Sequence, residues 1–250
     1  MKKLTEEKNK TYIYGKHPVM DMISTEPKRI SKIFIKKNFA DEATIQKFAT
    51  KNKIPLQTME ERKLDEYAEG GVHQGIVAQV APARMIEMKD FFALVKDKEN
   101  PCAIILDELE DPHNVGAIIR TAAALGASGI IMGKHRQAQI NGTVYKTSAG
   151  TVDKIPLIRV ANLNDAIRKL KENKFWVVGL DGNSPKTIWQ EKFDSPTAFV
   201  IGAEGKGIRS ETAKLCDFLL AIPMTPGVES LNASVSTALA IGEWKRQQIK

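Results

Sequence analysis

The sequence predicts an α/β protein with two domains, a small one at residues 1–82 and a larger one at residues 101–250. Strand-like apolar runs alternate with helix-like segments along the chain. In the second half, the strands are apolar throughout, which is typical of a parallel sheet covered by helices on both faces. With 250 residues, the chain is long enough for two separate hydrophobic cores.

The first region, residues 12–82, contains three predicted helices and three predicted strands. Runs such as KIFI and GIVAQV favour strands, and the spacing of Ile45, Phe48 and Ala49 favours a helix. We expect helices at 17–23, 41–51 and 62–68, and strands at 30–35, 54–59 and 75–80. This gives an α/β domain of about the minimum independent size.

A linker helix is expected over residues 83–100. Met88, Phe91, Phe92 and Val95 recur at helical spacing before a helix-breaking Asn-Pro pair. After it we expect strands in the runs CAIILDE, GIIMG, IPLIRV, FWVVGLD, TAFVIG and FLLAIPM. Helices are expected between them at 115–125, 141–150, 164–174 and 210–216, and a final long helix begins at about residue 232.

Composition and charge narrow the class of protein. The formal charge of +7 and pI near 9.2 suit a polyanionic partner such as RNA. The cysteines, Cys102 and Cys216, are far apart and lack metal-ligand spacing, so we expect no metal site and no disulfide. The basic N-terminus has no apolar segment of the kind found in signal peptides, and no run is long enough to span a membrane. We therefore expect a cytoplasmic protein.

Ligands of open parallel sheets bind beyond the carboxyl ends of the strands, so the loops there are candidate sites. The first such loop is ILDELEDPHNVGAIIRTAAALG, where Asn114 is placed to cap a helix. Arg120 follows on that helix with small neighbours, so a large group could approach it; without the other loops, a solvated arginine is the better explanation. The glycine pattern GxGxxG of dinucleotide-binding folds is absent here, which argues against an NAD- or FAD-linked oxidoreductase.

Two further strand-end loops are unusual. In FVIGAEGKGI, three glycines surround Glu204 and would let a ligand approach the backbone, although a simple glycine-rich turn has the same pattern. In LLAIPMTPGVESLNASVSTALAIGEW, Ser230 and Asn232 stand before a helix. They either cap it or, with its free amides, bind an anion.

Taken in this order, NVGAIIRTA, GAEGKGI and IPMTPGVESLNASVSTALA closely resemble the three signature motifs of SpoU-type (TrmH) RNA 2′-O-methyltransferases of the SPOUT superfamily. The resemblance covers the chain from Ala103 to its C-terminus. Residues 12–82 resemble the L30e-like RNA substrate-binding domain of family members that methylate a guanosine of large-subunit (23S) rRNA. The resemblance implies an α/β fold with a C-terminal trefoil knot, and it implies a homodimer.

The resemblance also implies methyl transfer from S-adenosylmethionine to a ribose 2′-hydroxyl. The positions that match the family's catalytic residues are Arg120, Asn114, Glu204, Ser230 and Asn232. The positions that match its cofactor-binding residues are Gly202, Gly205, Ile222, Met224, Leu231 and Asn232. Because an arginine keeps its proton, we expect Arg120 to clamp a phosphate or the developing alkoxide. The alternatives are a tRNA methyltransferase, an enzyme acting on an rRNA adenosine, and a non-catalytic RNA-binding protein.

Overall fold

A computed structural model describes residues 10–249; residues 1–9 of the expected first domain lie outside the described residues, as does residue 250. The strands are β1 (Thr11–Tyr14), β2 (Ile30–Lys36), β3 (Leu56–Met59), β4 (Ile76–Val80), β5 (Met85–Ile86), β6 (Cys102–Asp107), β7 (Gly129–Gly133), β8 (Leu157–Val160), β9 (Trp176–Leu180), β10 (Thr197–Gly202) and β11 (Phe218–Leu220). The α-helices are α1 (Lys16–Thr25), α2 (Glu42–Asn52), α3 (Glu61–Tyr67), α4 (Met88–Val95), α5 (Pro112–Leu125), α6 (Gly142–Thr147), α7 (Leu163–Glu172), α8 (Ser210–Ala213) and α9 (Ala233–Gln248).

The chain divides into two compact units. The first contains the described residues up to Ala83 together with residues 139–150. Its four-stranded sheet has the order β1-β4-β2-β3, in which β4 runs antiparallel to β1 and β2, and β3 runs parallel to β2. One face of this sheet buries Tyr14, Phe34 and Val77 with Leu64 of α3.

Helix α6 belongs to this first unit although it follows β7 in sequence. Thr143 Oγ1 lies 2.9 Å from the Tyr14 hydroxyl, and the Arg29 guanidinium donates a 2.7 Å hydrogen bond to the Tyr145 hydroxyl. A side chain at Gly142 would overlap the Tyr14 ring. Helix α6 therefore packs tightly against β1, the edge strand of the first sheet.

The second unit contains residues 84–138 and 151–249. Its seven strands are all parallel and have the order β11-β9-β10-β6-β7-β8-β5. Strand β6 is buried at every position, as expected for a strand with neighbours on both sides and helices on both faces. The parallel sheet predicted for the second half of the chain is thus confirmed.

The structure differs from the expected linker at 83–100. Strand β5 pairs with β8, and α4 buries Met88, Phe91 and Val95 in the core of the second unit. The apolar spacing correctly predicted a helix, but its apolar face packs within this unit. Strands β1 and β5 were not predicted, because each is short and is defined only by its pairing.

The parallel arrangement sets the position of the candidate site. Gly202 at the end of β10 lies opposite Asp107 at the end of β6, and Leu220 of β11 lies opposite Leu180 of β9. The loops that follow these four strands therefore emerge at one edge of the sheet. Among residues 10–249, no helix is both long and apolar enough to span a membrane.

Candidate active site

Asn232 caps the long helix α9. Its side-chain Oδ1 accepts hydrogen bonds from the backbone N–H groups of Ser234, at 2.9 Å, and Val235, at 3.3 Å. Because the cap requires the oxygen to face the helix, the amide nitrogen Nδ2 must face away from it. The capping role considered from the sequence is therefore real, and it leaves a donor directed at the neighbouring elements.

Three motifs distant in sequence meet at Glu204. Asn232 Nδ2 donates to Asn114 Oδ1 at 2.8 Å and also to Glu204 Oε1, while Asn114 Nδ2 donates to Glu204 Oε1 at 3.0 Å. The backbone N–H of Ala233 adds a 3.4 Å contact to the same carboxylate oxygen. Within the described part of the chain, no donor contacts Oε2. This cluster of Asn114, Glu204 and Asn232, hereafter the amide–carboxylate cluster, therefore leaves one carboxylate oxygen for a ligand.

Two helices begin at this cluster, which favours a negative charge there. Asn114 lies in the first turn of α5, and Asn232 caps α9. The partial positive charge at a helix N-terminus stabilises a nearby carboxylate. The Glu204 carboxylate therefore lies beside the N-terminal ends of two helices.

The expectation that Asn114 caps α5 was wrong. The capping residue is Asp111, whose carboxylate accepts a 2.9 Å hydrogen bond from the backbone N–H of His113. Pro112 occupies the first helical position, where its fixed backbone and missing N–H are well tolerated. The helix therefore begins before Asn114, and the buried Asn114 side chain is available to bind Glu204.

The loop carrying Glu204 folds back on itself. The backbone N–H of Gly207 donates a 2.8 Å hydrogen bond to the carbonyl of Ala203. Gly205 and Gly207 have φ angles of 73° and 67°, which favour glycine, and a side chain at Gly202 would overlap the backbone of Gly207. The tight-turn interpretation of these glycines therefore holds, and the turn fixes the position of Glu204.

An ion pair between a buried aspartate and a partly exposed arginine holds the end of this loop against β6. The Arg209 backbone N–H and Nε donate to the two carboxylate oxygens of Asp107 at 3.0 and 2.7 Å. The Asp107 side chain is fully buried, and its hydrogen bond with Arg209 raises the pKa of the guanidinium. Since β6 also leads into the Asn114 loop, this pair links the two loops that form the amide–carboxylate cluster.

A cavity of about 700 Å³ lies beside the cluster, between the loops that follow β9, β10 and β11 and the start of α9. Its volume is in the range of small-molecule and cofactor sites. The predicted residues that line it are Gly202, Glu204, Gly205, Ile222, Met224, Ser230 and Leu231. Asn232 and Asn114 do not line this cavity, but they bind Glu204, which does.

Arg120 lies elsewhere on α5. It is exposed, and neither the cavity lining nor the amide–carboxylate cluster includes it. Six residues after Asn114, it lies about 9 Å further along the helix and about 120° around its axis. The structure thus brings four of the five expected catalytic positions together and leaves Arg120 apart; the catalytic roles themselves stay predictions.

The loop after β9 was not identified from the sequence. Leu180, Asp181, Gly182 and Asn183 all line the cavity. Their position directly after a buried strand, in the run GLDGNS, was the available signal, since the other loops were chosen by the same criterion. Three carboxylates therefore line the cavity, those of Asp181, Glu204 and Glu229.

Neither cysteine offers a thiolate nucleophile. Burial raises the pKa of the Cys102 thiol, and it raises that of Cys216 to about 12. Within residues 10–249, no group of three or more His, Cys, Asp or Glu side chains is arranged to hold a metal ion. The cavity offers carboxylates, an amide, serine hydroxyls, the Lys206 ammonium group and backbone groups.

Comparison with known proteins extends this description. Residues 101–242 match the SpoU rRNA Methylase family, and residues 12–86 match the RNA 2′-O ribose methyltransferase substrate-binding domain. The chain is 39% identical to the 23S rRNA (guanosine-2′-O-)-methyltransferase RlmB of Yersinia pestis, over 94% of this chain and 97% of that protein. It is also 39% identical to RlmB of Escherichia coli K12, over 94% and 98% of the two chains.

A solved structure gives the same result for the fold. The AdoMet-bound rRNA methyltransferase of Sinorhizobium meliloti superposes with a TM-score of 0.79 at 23% identity, covering 100% of this chain and 92% of that one. The first family match spans more than half of the chain and contains all three motifs that meet at Glu204. The chain therefore belongs to the SpoU rRNA Methylase family.

Proposed function

We propose that this protein transfers a methyl group from S-adenosylmethionine to the ribose 2′-hydroxyl of a guanosine in 23S rRNA. The relatives that carry this activity in their names match the chain over nearly its whole length and theirs. The observation that carries the proposal is the amide–carboxylate cluster at the wall of the 700 Å³ cavity. It places a free carboxylate oxygen beside a space large enough for the methyl donor.

The residues around the cavity fit S-adenosylmethionine, which supplies an electrophilic methyl group on a positively charged sulfur. Ile222, Met224 and Leu231 offer apolar surface to an adenine ring. Asp181 and Glu229 line the cavity together with Lys206, and their carboxylates can pair with the sulfonium or the ammonium group of the ligand. The cavity thus combines the two properties that this cofactor requires.

The amide–carboxylate cluster would orient the ribose. In our proposal, Glu204 Oε2 accepts a hydrogen bond from the 2′-hydroxyl and takes up its proton as the oxygen is methylated, which leaves a lone pair of that oxygen directed towards the cavity. Asn114 and Asn232 hold the carboxylate through Oε1, so that it does not rotate away. Fixing the attacking oxygen in line with the methyl group supplies a large part of the rate of such a transfer.

Arg120 would act on RNA rather than on the cavity of its own chain. It is exposed on α5, and no hydrogen bond or ion pair engages its side chain within residues 10–249. A guanidinium can hold a phosphate or a developing alkoxide with two parallel hydrogen bonds. We propose that it does so in a homodimer, where the small residues at the start of α9 contribute to the interface, and that the C-terminal segment forms the knot expected for the family.

The direct test is product identification. The purified protein is incubated with labelled S-adenosylmethionine and either unmodified 23S rRNA or bulk tRNA, and the labelled nucleoside is identified after digestion. The proposal predicts 2′-O-methylguanosine from 23S rRNA. If the label appears in tRNA or in 2′-O-methyladenosine, the proposed substrate is wrong. If the protein does not bind the cofactor in calorimetry, it is a non-catalytic RNA-binding protein. We expect the reaction to take place in the cytoplasm, where rRNA is available.

A further inference from the structure

A second cavity, of about 320 Å³, lies at the same edge of the seven-stranded sheet. It is formed by the loops that follow β6, β7 and β8 and by Arg209. The run Lys134, His135 and Arg136 lines it directly after β7. We call this second cavity the basic cleft.

The acidic residues in the basic cleft are already paired. Asp107 binds Arg209, and Glu108 lies 3.2 Å from the Arg209 guanidinium and 2.9 Å from Nε of Arg136. These contacts neutralise both carboxylates and engage all the nitrogens of the Arg209 guanidinium. The three cationic side chains that line the cleft, Lys134, Arg136 and Arg209, therefore exceed its two carboxylates by one positive charge.

Lys134 and His135 lack such partners. Both are exposed, and no side-chain hydrogen bond or ion pair involves either within the part of the chain that the structure describes. Arg136 is also two-thirds exposed, so part of its guanidinium faces solvent beside its ion pair with Glu108. Lys134 and His135 thus line a concave surface whose acids are occupied, next to a partly exposed Arg136.

The backbone on both sides of the cleft is held in an unusual conformation. Glu108 and Arg136, which form an ion pair across it, have φ angles of 62° and 51°. Non-glycine residues rarely adopt such angles, and they occur often at ligand-binding and active sites. This conformation keeps Arg136 at the wall of the cleft.

The basic cleft lies close to the candidate active site. Strand β6 stands between β7, which ends at the cleft, and β10, which leads into Glu204. Neighbouring strands are about 4.8 Å apart, so the ends of β7 and β10 are separated by about 10 Å. An RNA strand with a ribose at Glu204 would bring its flanking phosphates within reach of Lys134 and Arg136.

We propose that the basic cleft binds the phosphates of the RNA next to the methylated nucleotide, so that the second unit contributes its own RNA contacts. This inference rests on the proposed function. Lysine and arginine bind RNA phosphates with release of counterions, which makes the affinity depend on salt. The cleft would act on RNA binding and leave cofactor binding unchanged.

The test compares two double variants. Lys134→Ala/Arg136→Ala removes two charges from the cleft, and Lys96→Ala/Lys98→Ala removes two exposed charges that precede β6, at the opposite edge of the sheet. We expect the first variant to raise the KM for a 23S rRNA fragment roughly tenfold at about 0.15 M salt. The slope of the logarithm of RNA affinity against the logarithm of salt concentration should become less steep by about 0.7 for each phosphate contact that is lost. The kcat and the Kd for S-adenosylmethionine should stay at the parent values, as should every property of the control.

A KM and a salt slope that match the control would overturn the inference. The single variant Lys134→Ala controls for misfolding, because Lys134 takes part in no ion pair among the described residues. It should raise the KM in the same direction by a smaller factor. If the parent protein fails to methylate 23S rRNA, the proposed function fails instead. The RNA affinity of the variants, measured by filter binding, then still reports on the cleft.

Discussion

Asn232 makes two kinds of contact with one side chain, a helix cap and a bridge to the amide–carboxylate cluster. Its Oδ1 caps α9 through Ser234 and Val235, and its Nδ2 reaches Asn114 and Glu204. No other residue type offers an acceptor and a donor at these two positions with the same shape. The two contacts can therefore be separated by substitution.

We predict that Asn232→Ser separates them. Serine is a good helix cap but lacks the amide donor, so the free energy of unfolding should stay near that of the parent protein, whereas Asn232→Ala should lower it by about 1 kcal/mol. Both variants should lose much of the methyl transfer, because Glu204 and Asn114 each lose the amide donor that Asn232 supplies. Chemical denaturation and turnover assays measure the two effects, and parent-like turnover in Asn232→Ser would show that the bridge to Glu204 has no role in the reaction.

The three motifs chosen from the sequence do meet in the structure, but the contacts between them were not predicted correctly. Asn114 was expected to cap α5, and only the three-dimensional structure shows that Asp111 does so and that Asn114 faces Glu204. Both residues precede or begin the same helix, so local preference could not choose between them. The loop at Asp181 was missed because its short turn carries no unusual pattern.

Among the elements, α9 carries a buried acidic residue. Glu243 is 7% exposed, and its carboxylate accepts two hydrogen bonds from Arg246, both at 2.8 Å, and one from Gln247 at 2.7 Å. The hydrogen bond with Arg246 lowers the pKa of Glu243 despite the opposing effect of burial. The ionised carboxylate therefore stabilises the folded state.

We predict a pH-dependent stability difference between the parent and Glu243→Gln. Because the pKa in the folded state lies below the usual 4.5, the contribution is fully present above that pH and is lost as the pH falls through the folded value. The variant should be less stable by about 1.5 kcal/mol at neutral pH, and the difference should shrink in acid. Urea unfolding at several pH values measures it.

Glu211→Gln on α8 is the matched control for that measurement. Its pKa is also lowered, by hydrogen bonding to Lys214, but the pair is exposed and screened by water. We expect its stability to differ little from the parent at any pH. A difference between the parent and Glu243→Gln that did not change with pH would rule out the ionised carboxylate as its source.

The elements themselves were largely predictable. The apolar runs predicted the six strands β6 to β11, and their uninterrupted hydrophobicity predicted the parallel sheet. Strands β1 and β5 were not predicted, because their pairing with β4 and β8 depends on contacts distant in sequence. Helix α4 was predicted as a helix, yet which core its apolar face joins depends on the same kind of contact.

At the scale of the whole molecule, the most unexpected feature is that residues 139–150 belong to the first unit. The pattern of this segment predicted a helix correctly, but nothing in its periodicity indicates which sheet it covers. The contacts of α6 with Tyr14 and Arg29 decide it. The first unit is therefore discontinuous in sequence.

We predict that residues 1–83 expressed alone are less stable than the same residues in the full chain. Without α6, strand β1 loses a packing partner and the hydroxyl of Tyr14 loses its contact with Thr143. Hydrogen exchange should show faster exchange in β1 of the fragment, while the amides linking β2 and β4 change less. Equal protection of β1 in the fragment and the full chain would show that α6 is dispensable for the first unit.

In the proposed reaction, Glu204 is held through one oxygen and positions the reacting hydroxyl with the other. The most direct measurement is the turnover of Glu204→Gln with S-adenosylmethionine and 23S rRNA, because glutamine keeps a carbonyl oxygen for Asn114 and Asn232 and replaces the free acceptor by a donor. We predict that kcat falls by about 100-fold or more while the Kd for the cofactor and the stability stay close to the parent values. Turnover of the variant equal to that of the parent would contradict the account.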